Sequence, residues 1–123
     1  MKIISPTVHA ILDYATVIFL LAAPSLFAME GPLSTFTYAL AGIHFLLTIL
    51  TSFPLGLIKV IPFRIHGIIE VIVSLALAGV AFWFKSNDSL TGFYFYLVLA
   101  VIIMIVFVLT DFKENSPKYE GKG

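Results

Sequence analysis

Cysteine is absent from this 123-residue chain. Its absence excludes disulfides, thiolate metal sites and cysteine nucleophiles, and says nothing about compartment. Charge is scarce, at 11% of residues, where an ordinary soluble domain carries about 25%. Seven basic residues balance seven acidic ones, so the chain has no electrostatic footprint for nucleic acid. Glycine-rich phosphate loops, nucleophile elbows and Walker motifs are missing as well. Lys2 lies at the N-terminus, but the first apolar run carries Asp13 and lacks a persuasive small-residue cleavage site. That run reads as a retained first helix and not as a signal peptide.

Apolar residues are what the chain has in quantity: 60% of the sequence, with a mean hydropathy of +1.07. A soluble domain this small leaves much of its surface in water and cannot hide so many apolar side chains. The bilayer is therefore the expected solvent and partner. Four apolar stretches, roughly 7–27, 33–53, 63–84 and 90–112, each reach the length of about 20 helical residues that crosses a hydrocarbon core. Ser5 and Pro6 suit the start of the first helix, and Pro24 is expected to kink it or end it early. Glu30-Gly31-Pro32 reads as a tight turn and Lys85-Ser86-Asn87-Asp88 as a polar one, with Asp88 or Ser89 capping the fourth helix. The expected domain is an all-α, integral membrane four-helix bundle over 1–112, followed by a disordered cytoplasmic tail over 113–123.

Lys2, Lys59, Arg64, Lys113, Lys118 and Lys122 fall on one side of such a bundle, and only Lys85 falls on the other. The positive-inside rule then puts both termini and the middle loop in the cytoplasm, in a multi-pass protein of the cell (inner) membrane. Phe27, Tyr38, Trp83, Tyr94 and Tyr96 enrich the opposite interface, where aromatic rings sit well at headgroup level.

Sliding the chain on itself aligns His9 with His66, Asp13 with Glu70, Leu20 with Leu77 and Phe27 with Phe84, all 57 positions apart. The same offset sets Leu33 against Leu90, Phe36 against Phe93, Leu40 against Leu97 and His44 against Val101. The bundle thus reads as two duplicated helical hairpins, about 5–56 and 62–112, related by an axis along the membrane normal. His44 has no histidine counterpart.

His9 and Asp13 share one helix face at a spacing of four, as do His66 and Glu70. Thr16 and Ser74 extend the two stripes, and His44, Thr48 and Thr51 share a face of the second helix. Asp13 and Glu70 lie about 10 Å inside the cytoplasmic interface, and His44 about 15 Å above Pro54, at about 1.5 Å per residue. Ionisable groups in a span cost about 2.5–3.5 kcal/mol each on insertion scales, so these should face the bundle interior. Four roles suit such a cluster. It can be polar glue between helices. It can be a divalent metal site made by His9, Asp13, His44, His66 and Glu70. It can be part of a proton or solute path, although the outer half offers no matching polar residues. It can be a haem site between His9 and His66, which the nearby carboxylates make awkward. Thr51-Ser52 reads as cap and turn residues. Gly42, Gly67 and Gly79, with Ser74 and Ala78, read as points of close helix packing. The fourth helix is apolar all round and should face lipid or a second subunit, so a homodimer is compatible with the pattern.

The paired hairpins, with Ala23-Pro24-Ser25 closing the first long helix, resemble the small bacterial membrane proteins with SPW repeats. Gly79-Val80-Ala81 stands at the corresponding place in the second repeat, and Trp83 is not preceded by Ser-Pro. That resemblance implies a small multi-pass protein without a settled activity. The topology is also similar to that of DoxX-like proteins, an analogy at the level of fold alone. The leading expectation is a non-enzymatic membrane protein whose His/carboxylate cluster stabilises the bundle and binds a metal ion or proton. The alternative is a membrane redox enzyme or transport subunit that uses the cluster with a cofactor or quinone.

Overall fold

A computed structural model describes residues 2–112. The tail expected to be disordered, 113–123, lies outside the described residues. Four helices follow one another as two hairpins: α1 (Pro6–Leu26), α2 (Gly31–Ile49), α3 (Phe63–Ser86) and α4 (Leu90–Leu109). Each is long and apolar enough to cross a membrane, so the chain is an all-α four-helix bundle of the multi-pass membrane class. Large aliphatic side chains such as Ile18, Ile43, Ile72 and Ile105 point outward. Ala23, Ala41, Ala81 and Ala100 are buried between helices. Small residues let helices approach closely where lipid supplies no hydrophobic drive for association.

Local chemistry sets the helix ends. The Ser5 hydroxyl accepts from the Val8 N–H at 3.2 Å, and Pro6 occupies the first turn of α1. Pro24 lies two residues from the end of α1. There its missing N–H releases a single carbonyl, and the helix runs on to Leu26, one residue short of the expected end. Both hairpins then turn through a left-handed residue, Ala28 at φ 51° and Asp88 at φ 62°. In both turns the next N–H closes back onto the helix, Met29 to the Pro24 carbonyl and Ser89 to the Phe84 carbonyl, each at 2.9 Å.

Two helix ends differ from expectation. α2 stops at Ile49, four residues before Phe53, and α4 at Leu109, three before Phe112. In each case the chain leaves the helix to make backbone bridges. β1 (Thr51–Ser52) pairs in parallel with β2 (Ile61–Pro62), matching Thr51 to Ile61. Thr110 likewise pairs in parallel with Ile4. The Ile61 N–H donates to the Leu50 carbonyl at 2.8 Å, and the Ile4 N–H to the Leu109 carbonyl at 2.9 Å. The short loop closing the first bridge folds so tightly that a Cβ on Gly56 would lie 1.9 Å from the Thr51 carbonyl oxygen. Only glycine fits there.

These bridges correct the register between the hairpins. Ile4 corresponds to Ile61 at 57, but Thr51 corresponds to Thr110 at 59. α3 has 24 residues against 21 in α1, while its turn, 87–89, is one residue shorter than 27–30, so 3 − 1 = 2 positions are gained. At 59 the buried positions of α2 and α4 coincide: Thr37 with Tyr96, and Ala41 with Ala100. His44 then corresponds to Ile103, and the expected match, Val101, faces outward. The glycines also divide differently from expectation. A Cβ on Gly67 would meet the Phe112 ring at 2.7 Å, whereas Gly42 and Gly79 have open space around them.

Candidate metal centre

The first turns of α1 and α3 carry His9 and His66, and the next turns carry Asp13 and Glu70. All four are buried at the end of the bundle that holds the two bridges. One ligand atom from each lies within 4.8 Å of all the others. The pairs between hairpins are the tighter ones. His9 Nε2 is 3.0 Å from Glu70 Oε2, and His66 Nε2 is 3.0 Å from Asp13 Oδ2. The pairs along each helix are 3.4 Å for His9–Asp13 and 3.2 Å for His66–Glu70. The donor atoms therefore alternate nitrogen and oxygen around a ring with contributions from both hairpins. Ligand bonds of about 2.0–2.2 Å give neighbouring donor atoms about 3.3–3.6 Å apart in a tetrahedron and about 2.8–3.1 Å in a square plane. The observed edges fall across those two ranges.

Two threonines fix the histidine tautomers. The Thr51 hydroxyl donates to the Leu47 carbonyl at 2.6 Å, and the Thr110 hydroxyl to the Val106 carbonyl at 2.6 Å. Each hydroxyl has then spent its proton. Thr51 Oγ1, 2.7 Å from His66 Nδ1, and Thr110 Oγ1, 2.8 Å from His9 Nδ1, can only accept. Both Nδ1 atoms therefore carry hydrogen, and both Nε2 atoms face the carboxylates. A metal-bound imidazole with its other N–H held by an acceptor is the usual outer-shell arrangement. The bonds are crossed: the hairpin that does not supply the histidine supplies its threonine.

Contacts within the ring are unequal. Glu70 Oε2 lies within hydrogen-bonding distance of both Nε2 atoms, at 3.0 and 3.2 Å. Asp13 Oδ2 is in ion-pair contact with His66 Nε2 at 3.0 Å and His9 Nε2 at 3.4 Å, whereas Glu70 Oε1 and His44 Nε2 have no hydrogen-bond partner among the described residues. Buried polar atoms without partners are uncommon, and a carboxylate oxygen 3.0 Å from an imidazole nitrogen suits either an ion pair or two ligands that share a cation.

Aromatic rings close the site toward the bridges. Phe63 lies edge-on to His9 at 5.2 Å, Phe53 is 5.5 Å from His66, and Phe112 is 6.0 Å from His9. Phe53 and Phe112 each follow a site threonine by two residues, in Leu50-Thr51-Ser52-Phe53 and Leu109-Thr110-Asp111-Phe112. That repeated Leu-Thr-x-Phe, 59 positions apart, was the signal for Thr110 and the two rings, which a single offset of 57 conceals. Thr51 is thereby a site residue and more than a turn residue.

The remaining expected residues take other places. His44 stands beside the ring and not in it, with Nε2 3.7 Å from Asp13 Oδ1. Thr48 bonds the His44 carbonyl at 2.7 Å, Thr16 the Leu12 carbonyl at 2.8 Å, and Ser74 the Ala100 carbonyl at 2.7 Å. His9 and His66 have ring centres 5.4 Å apart with both carboxylates between their Nε2 atoms, an arrangement that leaves no gap for a haem plane. Comparison of the chain with protein-family models, curated proteins and solved structures finds no match.

Proposed function

We propose that this is a metal-binding membrane protein that holds one divalent transition-metal ion between its two hairpins. The observation that carries the reading is the convergence of four buried donor atoms, two from each hairpin, with both imidazole Nδ1–H groups committed to threonines. Two neutral imidazoles and two carboxylates balance a divalent charge, and the nitrogen and oxygen donors suit zinc, manganese or iron. Supplied from both hairpins, the ligands make the ion a clasp across a helix interface that lipid alone does not drive together. The crossed bridges and threonines support an origin by duplication of one hairpin, in keeping with the likeness to SPW-repeat proteins. The basic residues at the site's end of the bundle support a cytoplasmic position for it, in the inner membrane with both termini inside.

A second reading, a metal-free quartet of two imidazolium and two carboxylate groups, draws on the paired bonds to Glu70 Oε2. It leaves Glu70 Oε1 and His44 Nε2 without partners among the described residues. Metal analysis of the full chain purified without chelators separates the two. About one metal ion per chain, lost in His66→Ala and in Glu70→Gln, is expected from ligand-dependent binding. Metal-free protein whose unfolding midpoint is unchanged by added zinc, manganese or iron would leave the quartet as the answer.

A further inference from the structure

Beside the donor ring lies a cavity of about 30 Å³. Asp13, Thr16, Glu70 and His44 supply its polar lining, and Leu99, Ile103 and Val106 of α4 part of its apolar lining. About 10–15 Å³ is enough for one water molecule, which needs two to four polar partners to stay. Two of the polar side chains on the wall carry an atom without a hydrogen-bond partner among the described residues, Glu70 Oε1 and His44 Nε2. Asp13 and Glu70 are more than nine-tenths buried, at 4% and 5% exposure. The cavity is therefore a built polar site whose donors and acceptors the described fold does not satisfy. Because it shares Asp13 and Glu70 with the ring, anything inside it stands next to the ion.

Resting on the metal reading above, we propose that this cavity is the open coordination position of the ion. It holds one exchangeable solvent molecule that His44 hydrogen-bonds, and a neutral ligand of two or three atoms can displace that molecule. The geometry accounts for the asymmetry between the hairpins. Four protein ligands alone close a tetrahedral site, so solvent in the cavity makes the ion five-coordinate. His44 is the one histidine outside the ring, and its counterpart, Ile103, forms the opposite wall of the same cavity. One hairpin supplies the hydrogen bond and the other the apolar surface. The aliphatic wall selects small uncharged ligands over hydrated anions, because an anion entering would lose its water beside two carboxylates.

Cobalt(II) and nitric oxide, added to the full chain in nanodiscs, test the inference. Cobalt alone reports coordination number: a five-coordinate ion gives weak visible bands and a four-coordinate ion intense ones. Weak bands are expected for the parent chain. Ile103→Phe, which fills the cavity without touching a ligand, should raise them several-fold while leaving cobalt affinity within about threefold, since the four donors stay in place. His44→Leu should raise them part of the way, because the solvent loses one hydrogen bond worth about tenfold in its retention. The iron(II)-loaded chain should form a nitrosyl complex visible by electron paramagnetic resonance, and Ile103→Phe should abolish it. Bound metal with intense cobalt bands and no nitrosyl signal in the parent chain overturns this inference and leaves the metal reading intact. If neither metal binds, both fall. These outcomes are read on the parent chain, so they do not depend on the variants folding.

Discussion

Replacing Thr110 by valine removes one oxygen and almost no volume. His9 Nδ1 then loses the acceptor it holds at 2.8 Å. His9 and Thr110 are both wholly buried, so no bulk water can take the place of the hydroxyl. A buried donor left without a partner costs about 1–3 kcal/mol, and about 2 kcal/mol is the expected loss for Thr110→Val. The Ile4–Thr110 bridge is made by the backbone and survives. With metal present, release of the imidazole from its fixed orientation should weaken binding by about 10–100-fold. Thr51→Val should match both losses, since its oxygen holds His66 Nδ1 at 2.7 Å from the other hairpin. Thr110→Ser keeps the oxygen and should recover most of the loss. Thr16→Val removes a hydroxyl that bonds its own helix and should change stability by less than about 0.5 kcal/mol. Denaturant titration in detergent, followed by circular dichroism, gives the stabilities, and cobalt titration gives the affinities. If Thr110→Val equals Thr110→Ser in both, the threonines do not orient the histidines and the tautomer assignment fails.

Other outcomes follow from the packing and topology. Gly67→Ala drives a methyl into the Phe112 ring at 2.7 Å and should destabilise the chain by about 1–3 kcal/mol through overpacking. Gly42→Ala meets nothing within 4 Å and should be neutral or stabilise by up to about 1 kcal/mol from helix propensity; equal effects in a thermal-melt comparison would refute the packing. Ala28→Val places a branched side chain at φ 51° and should melt lower than Ala28→Gly by about 1–2 kcal/mol of left-handed strain. A protease-accessible tag at the C-terminus should be cut only after inverted or permeabilised membranes are used, and cleavage in intact cells would reverse the proposed orientation.

Four spans, their order and the polar pairs on α1 and α3 were legible in the sequence, because length, hydropathy and a spacing of four are properties of the chain alone. Composition placed the molecule in lipid, and the cost of burying charge placed His9, Asp13, His66 and Glu70 inside. The sequence could not decide which pairs close. His–carboxylate contacts along one helix satisfy the spacing, yet the 3.0 Å contacts run between hairpins, and only the packing of two helices sets a distance across them. It could not place Thr110 either, since that residue reaches His9 from 101 positions away through a backbone bridge. Nor could one offset carry the alignment of the two hairpins past the turn, where α3 is longer and the spacing of matched positions moves from 57 to 59. His44 shows the division most clearly. Its residue type and its depth came from the sequence. Whether it joins the ring or stands beside it at 3.7 Å from Asp13 was decided by the rotation of α2 against α1, which no local pattern fixes.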